Sequence, residues 1–333
     1  MRPFRYERAA DEPGAVVAVA QPGAKFLGGG TNLVDLMRLG VESPSLLVDV
    51  TRLPLDRIEL REDGGLRIGA GVRNSELAAD SRIRERYPAL AEALLAGASG
   101  QLRNLATTAG NLMQRTRCSY FQDVTMPCNK RIPGSGCPAI EGEHHNLAIL
   151  GHSEHCVATH PSDLAVALAA FDATVRVVSP EGARDIPLVE FHRLPGDEPQ
   201  RDTVLGAGDL IVAVDLPALP LAALSRYRKV RERASFAFAV VSVAAVVDVA
   251  DDATVRDVRL ALGGVAHKPW RARSAEAAIT GSRADAGAFR AAIEHELEQA
   301  RPLRDNAYKV PLVRNLVVSV LCDLTGVARE DES

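Results

Sequence analysis

The hydrophobic and polar positions of the first 170 residues follow two different periods, which predicts a mixture of helices and strands. Short apolar runs predict strands at residues 15–20, 25–27, 46–50 and 66–70. Helix-period segments predict helices at residues 32–39 and 89–96, and a third helix capped by Asn74 or Ser75. Further along, Ser162 or Asp163 is expected to cap a helix that runs to Ala170.

The remaining positions predict a second unit of the same mixed kind. Strands are expected at residues 173–178, 209–216, 237–249 and 255–263, with a turn at 179–182. Helices are expected at residues 274–280, 285–299 and 311–325, and Cys322 is expected to be buried on the last of them. Pro217 and Pro220 mark a boundary, so we expect two domains, 1–222 and 223–333, with separate cores.

Composition excludes two classes of protein. A formal net charge of -4 and a pI near 6.1 argue against a surface built to bind nucleic acid. The longest uncharged apolar run, residues 234–247, has fourteen residues. Roughly 18 are needed to cross a bilayer. The valines in this run instead favour a buried strand.

Four of the five cysteines lie in one irregular segment and point to a metal. Cys118, Cys128, Cys137 and Cys156 are separated by nine, eight and eighteen residues, and the segment is rich in proline and glycine. Disulfides are disfavoured because Met1 to Ala10 is charged and has no apolar export stretch. Structural zinc sites usually pair cysteines more closely, but the spacing leaves both zinc and an iron–sulfur cluster open.

Three short polar motifs are candidates for a ligand site. Gly28 to Gly30 follow a predicted strand, so their N–H groups can form an anion-binding nest or simply a tight turn. Leu33 stands where a Rossmann fingerprint has its third glycine, which excludes that motif. The segments 106–111 and 160–163 flank the cysteines and can bind a ligand, or serve as a helix-ending turn and a helix cap. Their positions predict a metal site beside the ligand.

Taken together, these motifs resemble those of the FAD-binding medium subunit of the molybdenum hydroxylases, the group of xanthine dehydrogenase, carbon monoxide dehydrogenase and aldehyde oxidoreductase. Residues 25–33, 107–111 and 161–164 resemble the three flavin motifs of that family. Lys229 resembles its lysine near the flavin, and residues 263–266 with Pro269 resemble its C-terminal domain. Ala109 stands where relatives commonly carry a glycine.

The resemblance implies an α+β fold: an FAD-binding domain of the vanillyl-alcohol-oxidase (PCMH) type, then a smaller α/β domain of the CO dehydrogenase flavoprotein C-terminal type. The first domain would be interrupted by an iron–sulfur insertion at about 112–160. The implied FAD-binding residues are Lys25, Phe26, Leu27, Gly28, Gly29, Gly30, Thr31, Asn32, Leu33, Thr107, Gly110, Asn111, Ser162, Asp163, Ile211 and Lys229.

The cysteine-bearing segment, residues 115–156, is similar to that of the periplasmic aldehyde oxidoreductase subgroup, whose flavin subunit also carries a 4Fe-4S cluster. This similarity implies Cys118, Cys128, Cys137 and Cys156 as the cluster ligands. The histidines of the same segment would then be solvated or would contact the cysteine ligands without binding the metal themselves; they are His144, His145, His152 and His155.

The implied function is electron transfer within a heterotrimer. A molybdenum-cofactor large subunit would oxidise an aldehyde, a 2Fe-2S small subunit would pass electrons on, and this chain would deliver them through FAD to an external acceptor. No catalytic acid or base is required in this chain. The expected location is the cytoplasm, or the periplasm if a partner carries a twin-arginine signal.

Two alternatives remain. The first is a stand-alone flavoenzyme of the same fold, which needs an acid or base in the C-terminal domain. Glu276, His295 and Tyr308 are the candidates, and we expect ordinary surface roles for each. The second is a zinc-stapled, non-enzymatic assembly protein in which the glycine loop is an empty turn.

Overall fold

The computed structural model describes residues 1–328 and contains three β-sheets. The first sheet is parallel and consists of β1 (Arg5–Arg8), β2 (Ala24–Leu27) and β3 (Leu46–Asp49), with β3 in the centre. The second is antiparallel, in the order β4-β5-β8-β6-β7, and consists of β4 (Ile58–Leu60), β5 (Leu66–Gly69), β6 (Thr174–Ser179), β7 (Gly182–Pro187) and β8 (Leu210–Leu216). The third is antiparallel, in the order β12-β11-β10-β9, and consists of β9 (Ser225–Val230), β10 (Val241–Val249), β11 (Val255–Gly263) and β12 (Trp270–Arg271).

The helices of the N-terminal part are mostly short. They are α1 (Glu12–Val19), α2 (Leu33–Arg38), α3 (Asn74–Ala79), α4 (Ser81–Arg86), α5 (Pro88–Ala96), α6 (Gly100–Leu105), α7 (Thr108–Leu112), α8 (Ser119–Gln122), α9 (Asp163–Ala170) and α10 (Leu188–Phe191). Those of the C-terminal part are α11 (Arg273–Ile279), α12 (Ala286–Leu297) and α13 (Lys309–Thr325), and they cover the third sheet. Short 3-10 turns occupy Pro138–Ile140 and Pro220–Ala223.

The two parts of the chain share a core at helix α9. Every residue of this helix is buried, because α5 packs on one side of it and strands β10 and β11 pack on another. One apolar cluster therefore joins Leu164 and Val175 to Tyr227, Ala244 and Ala261. The C-terminal part also has an apolar cluster of its own, which includes Leu260, Phe289 and Val317. The two parts therefore have separate clusters but share a contact at α9, which holds the first part against the third sheet.

The strand predicted at 15–20 is wrong, since these residues belong to helix α1. The Asp11 side chain accepts a hydrogen bond from the Gly14 N–H at 2.7 Å and so caps the helix start. Val16 and Val19 face the parallel sheet, whereas Val17 is 71% exposed. A short run of valine and alanine suits a buried strand and a short helix equally well, so its period could not decide.

Most other element predictions are confirmed. The strand predicted at 255–263 matches β11, the predicted helix cap at Ser162 precedes α9, and Cys322 is buried on α13. Helix α3 begins at Asn74, so its cap is Arg73 rather than Asn74 or Ser75. The elements that were not predicted are strands β1, β4, β7, β9 and β12 and helices α1, α4, α6, α7, α8 and α10. Within residues 1–328, no helix combines the length and the apolar character needed to span a bilayer.

Candidate functional site

A cavity of about 580 Å³ lies where the N-terminal part meets the third sheet. This large cavity is lined by residues from α2, α5, α6, α7, α9, β9 and the loop at 231–240, and its size lies in the range of cofactor sites. It brings together residues from all three sequence motifs and the predicted lysine; they are Thr31, Gly110, Asn111, Ser162, Asp163 and Lys229.

The glycine loop packs directly against the second motif. A Cβ atom on Gly29 would lie 1.9 Å from the carbonyl oxygen of Leu105, and one on Gly28 would lie 3.0 Å from the Thr107 Oγ1. These glycines are therefore required for the close approach of two protein segments. Among the described residues, the main-chain N–H groups from Gly28 to Asn32 have no hydrogen-bond acceptor and are free to bind an anion. Of these residues, Thr31 lines the large cavity and Gly28 to Gly30 do not.

Hydrogen bonds join the second motif to the third. Thr107 caps helix α7 by accepting a hydrogen bond from the Gly110 N–H at 3.1 Å, so this motif begins a helix rather than ending one. The Ser162 hydroxyl donates to the Asn111 Oδ1 at 2.7 Å and accepts from the Ala165 N–H at 3.0 Å. The side chains at the centre of the cavity wall are thus fixed by contacts with one another.

A buried ion pair ties the third motif to strand β9. Lys229 Nζ lies 2.7 Å from Asp163 Oδ2, and the two side chains are 3% and 8% exposed. Lys229 also donates to the Ala96 carbonyl at 3.2 Å, and the Tyr227 hydroxyl donates to the other Asp163 oxygen. Burial, and next the Asp163 charge, hold the pKa of Tyr227 well above its usual value. Asp163 therefore positions a cation in the cavity wall.

Other predicted site residues do not line the large cavity. Lys25 Nζ pairs with Glu42 Oε2 at 2.8 Å, and Asn32 Oδ1 accepts from the Arg115 N–H at 3.0 Å. The buried Asn32 Nδ2 has no partner among the described residues. Ile211 lies in the core on β8 and does not reach the large cavity.

The four clustered cysteines do converge. Together with Thr116 and Lys130, among others, they line a second, narrow space, which we call the thiol cavity; the cysteines are Cys118, Cys128, Cys137 and Cys156. Cys137 is partly exposed and the other three are buried, and none of the four is joined in a disulfide. Within residues 1–328, no group of three or more histidine, cysteine, aspartate and glutamate side chains is arranged around a point that would suit a single metal ion.

The thiols differ in acidity. Burial raises the pKa of Cys118 to about 11. A hydrogen bond from Cys156, assisted by nearby main-chain N–H groups, lowers the pKa of Cys137 to about 6, and the same bond together with burial raises the pKa of Cys156. The cavity therefore favours at least one thiolate, which is the form that binds metals.

A chain of ion pairs connects the thiol cavity to the glycine loop. The buried Lys130 ammonium donates to the Pro199 carbonyl at 2.7 Å and to the Asp202 carboxylate. Arg115 bridges Asp202 and Glu42, with both contacts at 2.7 Å, and Glu42 pairs with Lys25. Although burial opposes it, Lys130 and Arg115 hold the pKa of Asp202 well below its usual range.

Residues 305–309 of the C-terminal part contact residues 144–148 of the cysteine-bearing segment, and we call these contacts the clasp. His144 Nε2 accepts from the Asp305 N–H at 3.0 Å, and Asn306 Nδ2 donates to the Leu147 and Ala148 carbonyls at 3.3 and 3.2 Å. The buried Lys309 ammonium donates to the carbonyls of Leu147 and Gly264 at 3.0 and 2.8 Å. Burial lowers its pKa to about 7.

The histidine predictions hold only in part. His144 is buried within the clasp and is not solvated, whereas His145 and His155 are exposed and His152 is half-buried. None of the four lines the thiol cavity. No local pattern signals the clasp, because its partners lie about 160 positions apart along the chain.

The acid and base candidates of the C-terminal part lie away from the large cavity. Glu276 is buried in ion pairs with Arg271 and Arg273, so the surface role expected for it is wrong. His295 pairs with Glu298 on the surface, and the Tyr308 ring stacks on His145. None of the three candidates lines the large cavity.

The two cavities meet at one residue. Cys118 lines both the thiol cavity and the large cavity, and the preceding Arg117 also lines the large cavity. The predicted adjacency of a metal site and a ligand site therefore has a structural counterpart.

Known proteins resemble the chain over its whole length. Residues 2–219 match the family described as FAD binding domain in molybdopterin dehydrogenase. Residues 225–324 match the CO dehydrogenase flavoprotein C-terminal domain. The chain is similar to the structure of reconstituted CO dehydrogenase from Oligotropha carboxidovorans, with a TM-score of 0.76 and 19% identity over 98% of this chain and 99% of that one. These matches confirm the predicted fold class.

Two relatives add sequence similarity. The aldehyde oxidoreductase FAD-binding subunit of Escherichia coli K12 is 51% identical over 331 residues, which cover 98% of this chain and 100% of the relative. The xanthine dehydrogenase FAD-binding subunit of Escherichia coli O157:H7 is 25% identical over 330 residues, which cover 97% of this chain and 96% of the relative.

Proposed function

This chain belongs to the family of FAD-binding subunits of the molybdopterin dehydrogenases, and from that premise we propose that it is the FAD- and 4Fe-4S-carrying electron-transfer subunit of a molybdenum-containing aldehyde oxidoreductase. The relative at 51% identity, an aldehyde oxidoreductase subunit, supports the substrate class. The single observation that carries the electron-transfer role is Cys118, which lines both cavities.

The large cavity fits FAD. The open N–H groups of the glycine loop suit a diphosphate, since successive main-chain donors bind anions. The cavity wall also holds buried polar atoms without a partner among the described residues, Asn74 Oδ1 and His160 Nε2. Such atoms are costly unless a ligand satisfies them. Asn111, Ser162 and Asp163 are held in place by one another and by Lys229, so the wall is formed before FAD binds.

The thiol cavity fits an iron–sulfur cluster better than a single zinc ion. Four thiols from one irregular segment face the same space, yet they are not arranged around one metal point. Tetrahedral zinc requires four donors about 2.3 Å from a single ion. A 4Fe-4S cluster binds each cysteine through a different iron, which allows the sulfurs to stand further apart.

Bound FAD and cluster would supply electron storage and transfer, and the chain's own residues hold and tune them. Lys229 places an ammonium group in the wall of the large cavity, and Lys130 places one beside the thiols. Each is paired with a carboxylate, Asp163 and Asp202 respectively, so these ion pairs position the walls without adding net charge. The clasp and the Arg115 ion pairs fix the cysteine-bearing segment against both parts of the chain.

The proposal includes partners that this chain does not contain. A molybdenum-cofactor large subunit oxidises the aldehyde, and a 2Fe-2S small subunit carries the electrons to this chain. The acceptor is external, and the complex is cytoplasmic, or periplasmic if a partner carries a twin-arginine signal.

The test is anaerobic purification of the chain alone and with its partners, followed by measurement of flavin, iron, zinc and molybdenum. We expect flavin and iron on the chain, molybdenum in the complex alone, and aldehyde oxidation only by the complex. Aldehyde turnover by the isolated chain would establish the stand-alone flavoenzyme instead. Zinc without iron or flavin would establish the zinc-stapled assembly protein.

A further inference from the structure

We infer that Arg117, a residue of the cysteine-bearing segment, binds the diphosphate of the dinucleotide opposite the glycine loop. The segment that binds the metal would then also bind the flavin cofactor. This inference rests on the proposed function, because it requires FAD in the large cavity.

The cations in the wall of the large cavity differ in whether another described residue accepts a hydrogen bond from them. Lys229 pairs with Asp163, Arg103 donates to the Gly97 carbonyl at 2.8 Å, and Arg233 donates to the Phe236 carbonyl at 3.0 Å. Arg117 lines the same cavity but has no hydrogen bond or ion pair with any described residue, and its Nε is buried. It is therefore a cation available for a ligand.

The surrounding contacts place Arg117 beside the glycine loop. Two residues earlier, the Arg115 N–H bonds to the side chain of Asn32 at 3.0 Å, at the end of that loop. Thr31 and Asp35 line the cavity together with Arg117. On its other side, the guanidinium lies 4.8 Å from the centre of the Phe238 ring, which stacks on it and limits its orientations.

The glycine loop and Arg117 together suit a diphosphate. The N–H groups from Gly28 to Asn32 supply donors from the main chain, and a guanidinium supplies a planar pair of donors that matches phosphate oxygens. The Asp35 carboxylate in the same wall repels a phosphate, and the charge of Arg117 offsets that repulsion.

The test compares Arg117→Gln, Arg117→Lys and the unchanged chain after FAD has been removed. FAD and ADP, which carries the diphosphate without the flavin, are each titrated, and bound iron is measured in every sample. We expect Arg117→Gln to weaken both ligands roughly ten- to hundredfold, as the loss of a charged hydrogen bond does, with iron retained. The affinity of Arg117→Lys for FAD and ADP should lie between those of the unchanged chain and Arg117→Gln, because lysine keeps the positive charge but lacks the planar pair of donors. Arg52→Gln, an exposed change of the same charge, is the control and should have no effect.

The possible failures are distinguishable. Equal FAD affinity in Arg117→Gln and the unchanged chain would overturn the inference and leave the proposed function intact. Loss of iron and FAD together in Arg117→Gln would also overturn it, by showing that Arg117 supports the segment rather than the ligand. An unchanged chain that binds no FAD would refute the proposed function itself.

Discussion

The large cavity and the thiol cavity are neighbours built in opposite ways. The wall of the large cavity is formed by several helices and strands together with the loops that adjoin them, and its polar side chains are already bonded to one another, as in the Ser162–Asn111 and Asp163–Lys229 pairs. The thiol cavity lies in a segment with one short helix and one 3-10 turn, and four thiols face it. The first site is preformed, whereas the second, under the proposed function, would be completed by its cluster.

The difference shows where each site obtains its geometry. The large cavity is organised by helix caps and by close packing of the glycine loop. The cysteine-bearing segment is held from outside, by the clasp and by the Glu42–Arg115–Asp202 ion pairs. Damage to the caps and core pairs should therefore affect FAD first, and damage to the clasp should affect the cluster first.

The largest effect is expected when the buried ion pair is broken. Asp163→Asn leaves Lys229 buried without its carboxylate, which should lower the free energy of unfolding by about 3–5 kcal/mol. Denaturant unfolding monitored together with flavin content checks this. Asp197→Asn is the matched control, because that side chain is 97% exposed. A fully stable Asp163→Asn protein that retains FAD would show that the pair does not organise the large cavity.

A smaller loss is expected from Gly29→Ala. The new methyl group would meet the Leu105 carbonyl oxygen at 1.9 Å, so the loop must move, at a cost of about 1–3 kcal/mol. FAD affinity should fall while iron content is unchanged. Gly100→Ala, where nothing lies within 4 Å of the added Cβ, should leave both unchanged. If the two variants behaved alike, the packing of the first motif on the second would not matter.

The clasp provides the complementary test. Asn306→Ala leaves the Leu147 and Ala148 carbonyls without this donor and should cost about 1–3 kcal/mol. We expect a chelator to remove iron from this variant faster than from the unchanged chain. FAD affinity should stay within twofold of the unchanged chain, which is a change of about 0.4 kcal/mol or less in binding free energy. The control is Asn104→Ala, an exposed asparagine on α6. Parallel loss of FAD and iron would contradict the division between the two sites.

The smallest effect is the change in stability over a single pH unit that originates in the clasp. Folding lowers the pKa of Lys309 from 10.5 to about 7, so between these values the unfolded chain binds more protons than the folded chain. The free energy of unfolding should therefore rise with pH in this window, by at most about 1.4 kcal/mol per pH unit from this group. Below pH 7 both states are protonated and the dependence disappears. Lys309→Met should flatten the curve, and an identical curve would exclude Lys309 as its source.

Local signals in the sequence predicted much of the fold and part of the site. Ser162 and Asp163 signal a helix start by residue type alone, and the glycines at 28–30 signal a special turn. The strand predicted at 15–20 failed because a short run of valine and alanine carries no decisive period.

Contacts between distant positions could not be predicted. The Lys229–Asp163 pair spans 66 positions and the Asn306–Leu147 bond spans 159, and neither residue type indicates its partner. Arg117 likewise shows its importance only when the neighbouring cations are seen to be engaged. For Ile211, the resemblance implied a flavin contact, but its side chain is in the core of β8, so its role stays a prediction.

The central claim is that thiols of one irregular segment hold an iron–sulfur cluster beside the FAD. Its most direct test is the EPR spectrum of the reduced, FAD-loaded chain and of Cys128→Ser, with iron measured in both samples. The account predicts a cluster signal in the unchanged chain, and its loss or marked alteration with reduced iron and retained FAD in the variant. An identical spectrum with full iron in Cys128→Ser, or an iron-free unchanged chain, would contradict it.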